Sequence, residues 1–458
     1  MFKIDEIIRW TKGRVLSVAK DYEFGNISID SRDVRDGAIF IAIKGKRYDG
    51  HDFAVKALMN GASCAIVEGR KASSVFGDAK RLRRCIISVK DTIRALGDLA
   101  ALHRRRFDIP SVAVTGSCGK TTTKDMIGSV LKGSWRPLTN AGTKNNAIGV
   151  PLTILTLDER HDSLVVELGM NHAGEIRRLA EMSRPNVGVV TNVGPCHIQY
   201  LGNMRSVYKA KKELLDYLDR WDSAILNNDD NFLCRFRGSG LNILRYGIRE
   251  RSDYQARKIS RSGNGWSFEV NGFSYSIPSL ARHDIYNALA AICVGRLFNV
   301  SEDEIRNGLS RIRASDHRMN MKTFSKIRFI DDSYNSNPLS LESAVKTLSE
   351  LNARGRKILV LGDMLELGAK SKLYHERIGK IIAGSDINEF IAVGPMARNI
   401  HMQAAKGGMK QSRFCNSKDE AVSFLKSIVR PYDVVLVKGS RATKMEEIIE
   451  CFITSFTR

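Results

Sequence analysis

The chain has 458 residues, room for about three domains of ordinary size, and 43% apolar against 27% charged residues is the balance of a globular protein. No apolar run approaches the roughly 20 residues that span a bilayer, and eight scattered cysteines make no Cys-x-x-Cys pair and no disulfide framework, which predicts a reduced cytoplasm and no membrane insertion. The net charge of +22, from 72 basic and 50 acidic residues, suggests nucleic acid, but the basic residues are spread along the chain with no aromatic-interleaved stripe. A basic surface that assists capture of a polyanionic substrate is the expectation.

The opening segment, Met1-Phe-Lys-Ile-Asp-Glu-Ile-Ile-Arg-Trp10, sets charged and apolar residues at helical spacing and predicts a helix rather than a secretory signal. Residues 1–107 form a first block, with strands predicted at 38–43, 64–67 and 84–88 and helices at 52–60 and 91–103. The Arg-rich stretch before Pro110 reads as a hinge.

The second block, 108–313, opens on Val112-Ala-Val-Thr-Gly-Ser-Cys-Gly-Lys-Thr-Thr-Thr-Lys124. A β-branched run leads into Gly116-Ser-Cys-Gly119-Lys120-Thr121, and a helix-compatible segment follows. Strand, loop and helix in that order make a phosphate-binding loop. Backbone N–H groups face the phosphates, Lys120 supplies a point charge, and the Thr121 hydroxyl reaches Mg²⁺. The general Walker pattern would place its first glycine at Val114, so this is a shorter variant that opens at Gly116. Apolar runs at 163–168, 187–191 and 223–226 alternate with helical segments, as in a mostly parallel sheet covered on both faces. Residues 252–277 are polar and β-like, and a helix is predicted over 284–298.

The third block, 314–458, has strand-like runs at 328–331, 358–362, 389–393 and 433–437 separated by helices, the pattern of a second doubly wound α/β domain. The fold class is therefore α/β in three domains: an N-terminal α/β domain, a central phosphate-loop domain and a C-terminal Rossmann-like domain.

Polar residues just past strand ends are the next candidates, because α/β sheets place ligands there. Glu167 is a carboxylate on an apolar strand and needs either a shared Mg²⁺ or an ion pair. His197 follows another strand. Lys209, Lys211 and Lys212 share one predicted helix, and their spacing does not single one out. Asp331-Asp-Ser-Tyr-Asn-Ser-Asn-Pro338 is a run that suits a ribose or a turn. Gly362-Asp-Met-Leu-Glu-Leu-Gly368 and Lys438-Gly-Ser-Arg441 also follow strands.

Taken in order, several stretches resemble the Mur ligase family over essentially the whole chain. They are Ile29-Asp-Ser-Arg32, Phe40-Ile-Ala-Ile-Lys-Gly-Lys-Arg-Tyr-Asp-Gly-His-Asp-Phe53, the loop Thr115–Thr122, Asn145-Asn-Ala-Ile-Gly-Val-Pro151, Glu167-Leu-Gly-Met-Asn171 and Leu361-Gly-Asp-Met-Leu-Glu-Leu-Gly368. The resemblance implies an ATP-dependent ligase of peptidoglycan biosynthesis, joining D-alanyl-D-alanine to UDP-N-acetylmuramoyl-tripeptide through an acyl phosphate. It implies that the N-terminal domain holds UDP, and a monomer is the expectation.

The same resemblance implies roles for single residues. Gly116, Ser117, Cys118, Gly119, Lys120, Thr121 and Thr122 would form the ATP loop, with Thr121 and Glu167 on one Mg²⁺. His197 and Lys211, the latter carbamylated by CO₂, would take a second Mg²⁺. His283 and Asn287 would lie near adenine, Arg318 would approach the γ-phosphate, Asp332 would bind ribose, and Tyr334 would line the cleft. Ser31, Arg32, Lys44, Gly45, Asp49, Gly50, His51, Asn145, Asn146, Asn171, Asn335 and Asn337 would contact the substrates. Four positions depart from the family pattern: Cys118, Thr143, Lys212 and Asp284. The rivals are another amide ligase of this architecture, such as a folylpolyglutamate-type enzyme, and a basic nucleic-acid-associated NTPase. The second predicts turnover stimulated by DNA or RNA and lost steeply with salt.

Overall fold

Alternation of apolar side chains on short strands determines how each sheet is covered. The computed structural model describes residues 1–17, 23–263 and 265–455. The chain divides into two units: Met1–Ala113 with Leu138–Leu168 and Arg177–Pro185, and Val114–Pro137 with Gly169–Ile176 and Asn186–Arg458.

In the first unit a five-stranded sheet runs in the order Arg14–Ser17, Cys85–Val89, Cys64–Glu68, Ile39–Ile41, Ile27–Ser28. Only the Arg14–Ser17 edge is antiparallel. Ile39, Ile41, Cys64, Ile66, Cys85 and Ile87 face one apolar layer, and Phe40, Ala65, Val67 and Ile86 face the other. Burial on both faces is what allows these strands to be parallel. Helix Thr92–Arg104 covers the first layer and starts at Asp91, whose side chain accepts the Arg94 N–H at 2.9 Å. The basic stretch that reads as a hinge is pinned instead. Arg104 is buried and donates to the carbonyls of Ser183, Phe107 and Ile109 at 3.0, 2.6 and 2.7 Å. An arginine that donates to three nearby carbonyls ties down a segment that composition alone marks as loose.

In the second unit, strands Val187–Val190, Ser223–Asn227, Asn242–Gly247 and Tyr254–Gln255 are parallel neighbours. The polar stretch that follows is an antiparallel ribbon of Arg257–Ser262, Gly265–Val270 and Phe273–Ile277. Helix Asp284–Leu297 is buried along most of its length. It lies close against helix Lys120–Leu131, since a Cβ on Gly295 would come within 2.8 Å of Val130 Cγ1.

Farther along the same unit, a six-stranded sheet has the order Asn320–Phe324, Ile327–Asp331, Val434–Lys438, Lys357–Leu361, Glu389–Val393, Ser412–Cys415. All pairs are parallel except the Asn320–Phe324 edge, a strand the sequence reading did not anticipate. The last strand in sequence lies between the second and third. The loops after Asp331, Leu361 and Lys438 therefore meet at one carboxyl edge, where an open α/β sheet places its ligand. No helix among the described residues is long and apolar enough to cross a membrane.

Candidate active site

Strand Ser111–Thr115 delivers the chain to Gly116, and the helix starts at Lys120. Two glycines make that turn. Gly116 has φ +152, and a Cβ there would sit 1.9 Å from Thr191 Oγ1; Gly119 has φ +81, and its Cβ would sit 2.5 Å from Asn287 Oδ1. The loop is gripped by the segment after strand Val187–Val190. Ser117 N–H donates to the Asn192 carbonyl at 3.1 Å, Cys118 N–H to Asn192 Oδ1 at 2.9 Å, and Thr191 Oγ1 to the Cys118 carbonyl at 2.6 Å. The Ser117 hydroxyl donates to the Gly194 carbonyl at 3.0 Å and accepts the Gly194 N–H at 2.8 Å. Lys120 Nζ folds over the loop to the Gly116 carbonyl at 3.0 Å. Asn192 is a loop-shaping residue that the sequence reading missed; its only signal was its place just past a strand. At Cys118 the half-buried setting pushes the thiol above its ordinary value, against the pull of Lys438 and Lys120, so it stays a protonated thiol rather than a reactive thiolate.

Beyond the loop, Thr123 Oγ1 donates to Asn287 Oδ1 at 3.0 Å and Asn287 Nδ2 donates to Asp284 Oδ1 at 2.7 Å. Asn287 is thereby fixed against the loop helix, and Asp284 serves as its acceptor. Thr122, Asp125, Asp284, Ser315 and Arg318 line a cleft of about 160 Å³. The His283 ring is hydrogen-bonded to Ser343, and Ser315 Oγ donates to Asp125 Oδ2 at 2.9 Å. Asn337 Nδ2 donates to the Ser117 carbonyl at 3.2 Å, which brings a predicted substrate residue onto the loop itself.

Arg318 lies over the Tyr334 ring at 4.2 Å. Asp332 accepts from Lys438 Nζ at 2.7 Å and from Met319 N–H at 3.2 Å, and the same ammonium donates to the Asn335 carbonyl at 2.9 Å. Lys438 is buried, so its charge is matched by Asp332 and little else. Sequence reading flagged its run but not its role.

Of the three helical lysines, burial separates them: Lys209 is exposed, Lys212 is bonded to Asp216, and Lys211 is 2% exposed. Burial pushes the Lys211 ammonium down to about 8 from 10.5, with Cys196 opposing and Lys120 reinforcing the shift. No carboxylate is paired with it among the described residues. His197 has φ +52, and its Nδ1 is 2.6 Å from Glu366 Oε2. Glu366 is a second partner that sequence reading did not assign. Among the described residues no three His, Cys, Asp or Glu side chains gather as a ready metal cluster.

In the first unit Glu167 Oε1 accepts from Asn145 Nδ2 at 2.6 Å, and the Glu167 N–H donates to Asn140 Oδ1 at 2.9 Å. Asn146 Oδ1 accepts the N–H groups of Ile148 and Gly149 at 3.0 and 2.9 Å, just before helix Gly149–Ile154. Lys44 and Asp49 bridge a tight turn, within which Gly45 N–H donates to the Tyr48 carbonyl at 2.8 Å. A Cβ on Gly50 would fall 2.6 Å from Ile43 N. His51 uses both ring nitrogens internally: Nδ1 meets Asp49 at 2.6 Å and Nε2 accepts the Glu68 N–H at 3.0 Å. Ser31 is buried with its carbonyl held by Asn60 Nδ2 at 2.8 Å, and Arg32 is exposed and paired with Asp30. In the second unit Asn171 is exposed, and its N–H donates to Glu175 at 2.7 Å.

Three family models match the chain: the Mur ligase family catalytic domain over 23–104, the Mur ligase middle domain over 114–295 and the Mur ligase glutamate ligase domain over 317–441. The UDP-N-acetylmuramoyl-tripeptide–D-alanyl-D-alanine ligase of Bacillus subtilis (strain 168) is 33% identical over 434 residues, covering 94% of this chain and 93% of that protein. Its Escherichia coli (strain K12) counterpart is 33% identical over 439 residues, covering 94% of each. Among solved structures, MurF from Acinetobacter baumannii superimposes with a TM-score of 0.88 at 29% identity, covering 99% of both chains. MurF ligase from Thermotoga maritima in complex with ADP gives 0.83 at 28% identity, covering 94% of this chain and 98% of that one. With the phosphate loop, both sheets and the rim residues in the order the motifs predict, the chain belongs to the Mur ligase family.

Proposed function

We propose that this chain is the ATP-dependent ligase that joins D-alanyl-D-alanine to UDP-N-acetylmuramoyl-tripeptide in the cytoplasm, yielding the UDP-muramyl-pentapeptide precursor of peptidoglycan, ADP and phosphate. The observation that carries this reading is end-to-end similarity to ligases named for that reaction, with about nine-tenths of each chain covered, together with a shaped phosphate loop at residues 116–122. The chain divides functionally as 1–107 for the UDP moiety, 108–313 for ATP and 314–458 as the closing domain, and acts as a monomer.

The tripeptide carboxylate attacks the γ-phosphoryl group of ATP, and the loop N–H groups with Lys120 and Arg318 neutralise charge on the transferring oxygens. The amine of D-alanyl-D-alanine then attacks the acyl phosphate, and phosphate leaves from the tetrahedral adduct. Gly116, Ser117, Cys118, Gly119, Thr121 and Thr122 hold the phosphates, His283 and Asn287 orient adenine, and Asp332 with Tyr334 lines the ribose side. Ser31, Arg32, Lys44, Gly45, Asp49, Gly50 and His51 recognise UDP, while Asn145, Asn146, Asn171, Asn335 and Asn337 contact the rest of the substrates.

The donor set of the second unit suits a divalent cation once Lys211 is carbamylated. CO₂ adds only to a neutral amine, and a buried lysine pushed down to about 8 has a larger neutral fraction near neutral pH than an ordinary one. Thr121 would hold one Mg²⁺ and His197 with the Lys211 carbamate a second, with Glu167 in the role the family pattern gives it. When bound, Mg²⁺ offsets the negative charge of the phosphates.

The test is phosphate release from ATP and Mg²⁺ with UDP-muramyl-tripeptide, offering D-alanyl-D-alanine, D-alanine, D-glutamate or no acceptor. Release with the dipeptide alone, accompanied by a pentapeptide product, is expected. Release with another acceptor refutes the assignment. Lys211→Ala tests the carbamate: activity should fall and partly return with added short carboxylates, and full activity without them rejects it.

A further inference from the structure

The run Gly362-Asp-Met-Leu-Glu-Leu-Gly368 leaves strand Lys357–Leu361 as a loop held along its length. Asp363 Oδ1 accepts the Ala397 N–H at 2.7 Å, and the Asp363 carbonyl accepts the Ser440 N–H at 3.0 Å. Met364 N–H donates to His375 Nε2 at 3.1 Å, and Leu365 N–H donates to Ser440 Oγ at 2.9 Å. A Cβ on Gly362 would lie 2.7 Å from Met445 Sδ, so the backbone is clamped there too.

Glu366 sends its carboxylate to the segment matched by the middle domain, to His197 Nδ1 at 2.6 Å. Its carbonyl accepts the Gln199 N–H at 3.0 Å. Both partners of this hydrogen bond have left-handed backbone, φ +61 at Glu366 and φ +52 at His197. A non-glycine residue keeps that conformation only where its surroundings impose it, and here the strain falls on both ends of one contact.

A carboxylate only accepts, so the proton between these groups belongs to His197 Nδ1, and in the neutral ring that leaves the lone pair on Nε2. A carboxylate behind a ligand histidine fixes the ring's orientation and tautomer and raises its basicity. We propose that Glu366 is a positioning residue that sets His197 as an Nε2 metal ligand. Glu366 belongs to the segment matched by the glutamate ligase domain and His197 to the middle domain, so docking of the 362–368 loop on residues 197–199 completes the histidine's setting. The inference rests on the reading of His197 as a Mg²⁺ ligand.

The experiment uses the full chain with ADP and Mn²⁺ as the probe, comparing Glu366→Ala, Glu366→Asp and Glu366→Asn, the last because asparagine tolerates left-handed backbone. Free Mn²⁺ is read by electron paramagnetic resonance. The His197 tautomer is read by ¹⁵N–¹H correlation of histidine-labelled protein, with His197→Gln identifying its signal among nine histidines. Loss of the carboxylate should weaken Mn²⁺ binding about 10–100-fold, and Glu366→Asp should recover part of it. The His197 signal should leave the pure Nδ1–H form, and Glu366→Ala should add nothing once His197 is alanine. If Glu366→Ala and Glu366→Asn keep full Mn²⁺ affinity while His197→Ala loses it, the inference is wrong. It is equally wrong if Glu366→Ala weakens binding as much without His197 as with it. If His197→Ala itself leaves Mn²⁺ affinity unchanged, the metal reading of His197 falls first and the inference with it.

Discussion

Replacing Lys211 by methionine should stabilise the protein while abolishing its activity. The side chain is 2% exposed, and its ammonium is pushed down to about 8 from 10.5, chiefly by burial. In the unfolded chain the amine keeps its ordinary value. Below pH 8 both states are protonated, and folding carries the full cost of desolvating a charge, about 3 kcal/mol. Between pH 8 and 10.5 the folded state has lost its proton and the unfolded state has not, so the cost fades, to about 1 kcal/mol near pH 10. Methionine fills a similar volume with no charge. Lys211→Met should therefore gain about 3 kcal/mol more over wild type at pH 7 than it does above pH 10.5. At about 2–4 °C per kcal/mol for large domains, that is a rise of several degrees in the unfolding midpoint. The assay is thermal or urea unfolding at pH 7 and pH 10, in CO₂-free buffer with chelator so that the wild-type amine stays unmodified. A stability difference that is the same at both pH values would refute the reasoning, as would a Lys211→Met protein less stable than wild type at pH 7.

Gly116→Ala should cut ADP affinity roughly 5–150-fold in a calorimetric titration, the equivalent of about 1–3 kcal/mol of backbone strain, because its Cβ would lie 1.9 Å from Thr191 Oγ1. Unchanged affinity would mean that the loop does not hold phosphate in this shape. Arg318→Ala should lower kcat for phosphate release by about 10²–10³ with little change in the KM for ATP, and Arg318→Lys should retain part of the rate; equal effects on both parameters would make Arg318 an ordinary binding residue. Lys438→Met should destabilise the second unit by about 3–5 kcal/mol by leaving Asp332 buried and unpaired, and adding Asp332→Asn should restore much of the loss in an unfolding titration.

The phosphate loop was legible because all its determinants are local: a β-branched run, two glycines three residues apart and a lysine at the first turn of a helix. The doubly wound sheets were legible for a similar reason, since buried parallel strands read as continuous apolar runs. Lys211 could not be chosen over Lys209 and Lys212 by periodicity, because which face of helix Met204–Tyr217 is buried is decided by what packs on it. Glu366 and Lys438 were visible as members of polar runs, but their partners lie 169 and 106 residues away. No spacing rule connects such pairs. The expected hinge failed for the same reason: Arg104 reads as solvated charge until Ser183, 79 residues on, supplies its carbonyl.

Four non-glycine residues beside the candidate site have left-handed backbone: His197, His317, Met319 and Glu366. His317 and Met319, at φ +58 and +50, flank Arg318, and both are held from the C-terminal sheet. The His317 carbonyl accepts the Tyr334 N–H at 3.0 Å, and the Met319 N–H donates to Asp332 at 3.2 Å. Glu366 and His197, also left-handed, are joined by their own hydrogen bond. Such conformations cost free energy wherever the chain is at liberty to relax. Their persistence at these four positions means that the contacts around Asp332 and Glu366 hold them there. On the proposed reading, Arg318 and His197 act as the acyl phosphate forms, and both sit in backbone held by contacts from the C-terminal sheet's loops. Chemistry that waits for that docking keeps a water-labile intermediate from forming in an open site.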